Sequence, residues 1–165
     1  MKNLFGEELQ RCVAEGGGSS LDGMCVADPI HRVCVRRLGS YDARSDSKVG
    51  FSAITGQGPW SEGRGDASHC VCSGAYANYV SRADDRTGEP LRLSIDCAAT
   101  PHDALREAAG TRTWNDVTIG NQFDVALRTA YAACAKQIPA GDTRRADRML
   151  RELSRNTIGI ASRNT

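Results

Sequence analysis

Six of the seven cysteines and all three histidines of this 165-residue chain fall between residues 12 and 102, a concentration that constrains the fold more than any other feature. Thiolate and imidazole are the ligands from which tetrahedral zinc sites are built, and both bind metal in the deprotonated form. The candidate ligands are Cys12, Cys25, His31, Cys34, Cys70 and Cys72, and zinc or iron is the metal such a set would take. His31-x-x-Cys34 and Cys70-x-Cys72 permit chelation, but neither has the paired Cys-x-x-Cys spacing of a zinc finger. Two other readings stand beside this one. Unpaired cysteine is among the most buried residue types, so these side chains serve equally well as small core hydrophobes. A nucleophilic cysteine would need a nearby imidazolium or a helix N-terminus, with His69 and His102 as available partners. Adjacent residues in a strand face opposite ways, which keeps His69 from activating Cys70 directly.

The cysteine count also bears on compartment. Seven is odd, and the first residues, Met-Lys-Asn-Leu-Phe-Gly-Glu-Glu, turn acidic before an apolar run of signal length forms. Thiols or metal ligands are therefore expected in preference to a complete disulfide framework, in an intracellular, cytoplasmic protein. Nowhere are there the ~18 consecutive apolar residues of a membrane span. Twenty-one Lys and Arg against twenty Asp and Glu leave a net charge of +1, so no global field favours nucleic acid or an acidic membrane. The one basic stretch lies at 143–165, where Arg144, Arg145, Arg148, Arg151, Arg155 and Arg163 face only Asp147 and Glu152, a pattern that suits a solvated helix face.

Hydropathy patterning places elements around the cysteines. Leu4, Phe5, Leu9 and Val13 could line a short helix before Gly16–Ser20 interrupts it, and His31–Val35 alternates as a half-buried strand. Residues 39–68, rich in glycine, read as a long irregular loop anchored by Phe51, Ile54 and Trp60. His69–Cys72 reads as a strand, with Cys70 and Cys72 on one face, running into 75–80, which fits helix or strand. A turn at 84–90 precedes a strand through Leu91, Leu93 and Ile95, and Thr100-Pro101 supplies a cap and first residue for a helix over 102–109. Trp114, Val117 and Ile119 suggest a further extended piece. Phe123, Leu127, Ala130, Tyr131 and Cys134 form one face of a helix over 122–137, placing Cys134 in the core. After Asp142 as cap, Ala146, Met149, Leu150 and Leu153 form the stripe of a last helix antiparallel to it. The expected class is α+β: a small mixed sheet with long irregular loops in residues 1–120, then a helical hairpin in 121–165.

Taken in order, Asn3-Leu4-Phe5-Gly6-x-x-Leu9-x-x-Cys12, Asp22-Gly23-Met24-Cys25, His31-Arg32-Val33-Cys34, Cys70-Val71-Cys72 and Ala99-Thr100-x-His102-x-x-Leu105 resemble the family catalogued as domain of unknown function 2237. The resemblance covers roughly residues 3–109. The Gly-Asn-Asp-Leu stretch typical of that family has no equivalent between Tyr41 and Asp66, and His69 stands where its members place a tryptophan. The resemblance implies a compact α+β domain in which Cys12, Cys25, Cys34, Cys70 and Cys72 belong to one feature, and it implies no reaction.

These readings favour a non-catalytic binding or accessory protein that meets a protein partner, or a second copy of itself, through residues 122–155. The competing class is a metal- or thiol-dependent enzyme built on the clustered cysteines and histidines.

Overall fold

The computed structural model describes residues 1–13, 22–26, 29–38, 50–56, 67–106, 113–114, 117–118 and 122–161. The stretch Gly16–Ser20, most of the 39–68 loop with Trp60, the end of the helix expected to reach Ala109, and Ile119 and Arg163 lie outside those residues.

Three strands, β1 (His31–Arg36), β2 (His69–Cys72) and β3 (Ser94–Ile95), form a sheet of order β2-β1-β3. A separate two-stranded ladder joins β4 (Thr113–Trp114) to β5 (Val117–Thr118). The α+β class is as expected, and every pairing in the small sheet is antiparallel where mixed pairing was anticipated. The helices are α1 (Phe51–Thr55), within the expected loop, α2 (Ser73–Val80), and the C-terminal pair α3 (Gln122–Ala135) and α4 (Thr143–Ala161).

Residues 75–80, ambiguous from pattern alone, belong to the helix over Ser73–Val80, which sits at the centre of the molecule. All of its residues except Gly74 are buried, and its neighbours include α1, α3, β1 and β2. A helix enclosed on nearly all sides has no polar face for periodicity to reveal. Phe51 of α1 packs on Tyr79 with ring centroids 5.6 Å apart in a tilted arrangement. The main core runs from Leu4 and Phe5 through Val33, Val35 and Tyr76 to Phe123, Leu127, Tyr131 and Met149, so residues on both sides of position 120 enter one apolar cluster.

Two local expectations gave way to side-chain hydrogen bonding and a third to the end of a neighbouring strand. Residues 1–13 form turns and isolated bridges in place of a helix. The Asn3 side chain is the organiser: its Oδ1 accepts from the Phe5 and Glu7 N–H groups, and its Nδ2 donates to the Glu8 and Ala98 carbonyls. Asparagine competes with the helix ladder in this way. Residues 101–106 are turns, without helix, because Thr100 is occupied elsewhere. Its Oγ1 donates to the Asp96 carbonyl and accepts from the Cys34 N–H, so it does not cap. The strand expected over 91–96 shrinks to Ser94–Ile95, although Leu91, Leu93 and Ile95 remain buried and Arg92 and Ser94 exposed. β1 ends at Arg36, and Arg37 turns with φ 55°, which leaves the earlier residues no partner strand.

α3 presents Phe123, Ala126, Leu127, Ala130, Tyr131 and Cys134 to the core, as its spacing predicts. α4 begins where expected, with Asp142 Oδ1 accepting from the Arg145 N–H at 3.0 Å. Its stripe differs at one position: Met149 is buried and Leu153 packs on the core, but Leu150 is 54% exposed. Glu152 and Asn156 are buried instead.

Candidate functional site

β1 is covered on both faces. Val33 and Val35 point into the main core, whereas Cys34 points the other way, into a second buried cluster with Cys12, Cys25, Cys70 and Ala99, edged by Val13. Cys34 and Cys70 are direct register partners across the β1–β2 ladder. Cross-strand partners share a face, so two sulfurs arrive side by side from regular structure.

The other two come from turns. Met24 N–H donates to Asp22 Oδ1, and Gly23 adopts φ 73°, a value glycine reaches without steric cost, to form the turn that presents Cys25. The Cys12 N–H donates to the Gly23 carbonyl at 2.8 Å, tying the Cys12 segment to that turn. Over the cluster, the Asp96–Thr100 loop closes as the Asp96 N–H donates to the Cys34 carbonyl and Asp96 Oδ1 accepts from the Ala98 and Ala99 N–H groups.

Cys12 is bonded to Cys34, and Cys25 to Cys70. A third disulfide, Cys97–Cys134, ties the end of the Leu91–Ile95 segment to α3. The expectation of thiols or metal ligands in place of a disulfide framework is therefore corrected: six of the seven cysteines are cross-linked. An odd count leaves one residue over and says nothing against three bonds among the rest. Whether two cysteines can bond depends on Cα separations of about 4.4–6.8 Å, which spacing along the chain does not reveal. Here the Cα pairs are 5.6, 5.3 and 5.7 Å apart.

Of the six candidate ligands, four come together. The Sγ atoms of Cys12, Cys25 and Cys70 lie within 4.8 Å of one another, and Cys34 is bonded to the first. Cys72 keeps its thiol, buried in the main core. Strict alternation would have returned it to the Cys70 face. The register slips between His31 and Val33, so that His31 rather than Arg32 opposes Cys72, and the bulge changes the face presented. His31 is half-buried at the start of β1 and lies outside the sulfur group. His69 is buried opposite Val35, and His102 Nδ1 approaches the Lys2 carbonyl at 3.2 Å, the geometry of a ring N–H donor. Sequence reasoning missed the Cys97–Cys134 bond, for which the only signal was Cys134 on an inward helix face.

A second polar grouping fastens α4. Asn156 Nδ2 donates to the His102 carbonyl at 2.7 Å and to Tyr131 Oη at 3.2 Å. Burial pushes the Tyr131 hydroxyl up from 10.0 to about 12, against the lowering effect of the Asn156 hydrogen bond and with a smaller upward push from the Glu152 carboxylate. Arg145 and Arg148 both reach Glu7, at 2.8 and 2.6 Å, and the Arg145 guanidinium lies 3.9 Å over the Phe5 ring. A cleft of about 460 Å³ at the 84–90 turn is lined by Tyr79, Asp84, Thr87, Glu89, Pro90, Leu91 and Arg92. It lies on the turn, whose Asp84 carboxylate is engaged in accepting from the Arg86 N–H.

No family model, curated protein or solved structure matches this chain. Among the described residues, no helix is long and apolar enough to cross a membrane.

Proposed function

We propose that this chain is a non-catalytic binding or accessory protein, a cross-linked α+β domain that meets an acidic protein partner through the outer face of α4. The observation that carries this reading is Leu150, 54% exposed on a face it shares with exposed Arg144, Asp147, Arg151 and Ser154. The other arginines of the helix are engaged: Arg145 and Arg148 on Glu7, and Arg155 on Glu152. An exposed aliphatic side chain beside two arginines that have no ion pair among the described residues, with Asp147 as the one carboxylate between them, suits a partner that supplies further carboxylates around a small apolar pocket. The same helix otherwise turns its apolar residues inward, so the docking surface is narrower than the whole 122–155 segment.

The thiol-enzyme alternative is weaker. Four of the candidate nucleophiles are bonded in pairs, and those four are between 0 and 8% exposed, where a reactive thiolate needs a partly open, electropositive setting. The ordered residues shared with domain of unknown function 2237 support a common scaffold, since the four clustered cysteines are among them. Cross-links of this density belong to an oxidising compartment, and an intracellular location would hold the chain in its reduced form. Rapid acid quenching and thiol trapping in the source cells separates the two: full alkylation of Cys12, Cys25, Cys34 and Cys70 on lysis would sink the oxidising-compartment reading.

The partner reading is tested by co-purification from source cells of the native chain and of a variant carrying Leu150→Asp and Arg151→Glu, quantified by mass spectrometry. An acidic protein recovered with the native chain and reduced tenfold or more with the variant is the expected result. Equal recovery of every co-purifying protein would overturn it. Loss of a concentration-dependent dimer in the variant would assign the face to self-association instead.

A further inference from the structure

We propose that Cys12, Cys25, Cys34 and Cys70 are a redox-gated metal site: two disulfides when oxidised, and one tetrahedral four-thiolate centre for zinc when reduced. Three of the four sulfurs lie within 4.8 Å of one another and the fourth is bonded to one of them. A tetrahedral zinc with Zn–S bonds of about 2.3 Å holds its sulfurs about 3.8 Å apart. Reaching that arrangement requires the bonded sulfurs to part by less than ~2 Å and the non-bonded pairs among Cys12, Cys25 and Cys70 to close by ~1 Å at most, while Cys34, which lies outside that trio, swings in by side-chain rotation once its bond to Cys12 opens.

The scaffold suits that adjustment. Cys34 and Cys70 are register partners in paired strands and stay fixed, whereas Cys12 and Cys25 sit on turns joined to each other by the Cys12 N–H bond to the Gly23 carbonyl. The turns can shift as one unit without breaking the ladder. All four cysteines are enclosed, with Ala99 and Val13 as the apolar surround, which matches a closed structural site in which no position is left open to substrate. Thiolate ligands alone select a soft, tetrahedral ion, so zinc fits better than a cation that requires oxygen ligands. Cys72 and His31, the other two candidates, are not needed to complete four-coordination.

The chemistry balances with a dithiol reductant. Each of two dithiol molecules gives up two electrons and two protons to one disulfide, breaking the Cys12–Cys34 and Cys25–Cys70 bonds, and itself closes to a cyclic disulfide. The four resulting thiols then bind one Zn²⁺ and release four protons as the sulfurs become thiolates. Loss of zinc with re-oxidation runs the same steps backwards, so the cluster keeps the two turns fastened to the sheet in either state.

The test uses the full chain, reduced anaerobically with a phosphine, freed of metal and titrated with Co²⁺ as a spectroscopic stand-in for zinc. Expected are one Co²⁺ per chain, intense thiolate-to-cobalt and tetrahedral d–d bands, and displacement by one equivalent of Zn²⁺. Cys25→Ser with Cys70→Ser removes the bands, and Cys97→Ser with Cys134→Ser keeps them. Site-resolved alkylation of the native sequence supplies a readout independent of variant folding: zinc shields Cys12, Cys25, Cys34 and Cys70, and a chelator exposes those four together. If the reduced, metal-free chain loses its circular dichroism, recovery on adding zinc supports the site and failure to recover overturns it. A stoichiometry well below one, an octahedral cobalt spectrum, or bands that survive the Cys25→Ser/Cys70→Ser change overturns it as well.

Discussion

The two faces of the sheet-and-helix core are fastened by different means. On one, β1 and β2 meet turns whose backbone hydrogen bonds, among the described residues, run to one another and to the Ala98 carbonyl, and two disulfides attach those turns to the strands. On the other, α3 and α4 bring long amphipathic surfaces, and a single disulfide, buried apolar residues and an asparagine–tyrosine pair hold them. Helices satisfy their own backbone groups and need only bury one face, whereas turns of ten to fifteen residues bury too little apolar surface to offset their conformational entropy. Covalent closure supplies what packing does not.

The sharpest way to break this comparison is to remove cross-links. The sequence separations of 45, 37 and 22 residues correspond in the chain-entropy account to about 4 kcal/mol each for Cys25–Cys70 and Cys97–Cys134, and about 3.5 kcal/mol for Cys12–Cys34. Urea midpoints of the Cys→Ala pairs measure these costs. Loss of Cys97–Cys134 should cost no more than its figure, because the surrounding α3 contacts persist without it, whereas loss of Cys25–Cys70 should exceed its figure as the turn it fastens comes away. An excess of the same size at Cys97–Cys134 would place the helix pair on the same covalent footing as the turns.

The next effect in size is confined to the helical face. Tyr131 holds its proton up to about pH 12 when folded, against 10.0 when unfolded, so the unfolded chain loses the proton first as pH rises. Its contribution is fully present below pH 10 and falls away on the climb through pH 12, by about 2 to 3 kcal/mol. Chemical denaturation at stepped alkaline pH should show that slope, and Tyr131→Phe should flatten it. An unchanged slope in the variant would locate the alkaline sensitivity elsewhere, and thiol-blocked controls exclude alkaline disulfide exchange as its source.

A smaller effect follows at Gly6. Its φ of +74° disfavours any L side chain, and an added Cβ would stand 3.3 Å from Glu152 Cγ on α4. Gly6→Ala should cost about 1 kcal/mol or somewhat more, read as a shift in melting temperature. Glu7→Gln should cost at most about 1 kcal/mol after allowance for solvent screening, and raising the salt concentration should shrink the difference between the two proteins. Leu150→Asp, on the exposed face, should leave the melting temperature within experimental scatter, a change of about 0.5 kcal/mol or less. A large destabilisation would mean that this face is part of the fold and not a docking surface.

Elements with a one-sided environment were legible in the sequence. The inward face of α3 and the 84–90 turn, closed by the Gly88 N–H to the Asp84 carbonyl, follow from local pattern and turn chemistry, whereas β1 was legible as a strand but not as one buried on both faces, with Cys34 as enclosed as Val33 and Val35. The α2 segment was ambiguous because enclosure removes the polar side on which periodicity depends. The N-terminal helix and the helix after Thr100 were expected wrongly. Asn3 and Thr100 spend their hydrogen-bonding groups on partners distant in sequence, and no local rule registers that competition.

The cysteines divide along the same line. Local pattern put Cys34 and Cys70 on strands, and the resemblance to domain of unknown function 2237 implied that Cys12, Cys25, Cys34, Cys70 and Cys72 belong to one feature; four of those five do meet. Which sulfur meets which, the one-residue bulge that sends Cys72 to the opposite core, and the reach of Cys97 to Cys134 come from packing between segments. The physical reason is that a disulfide or a metal site depends on distances of a few ångströms between segments far apart in the chain. Those distances are set by how the sheet, the turns and α3 pack together, and side-chain periodicity within any one segment carries no record of them.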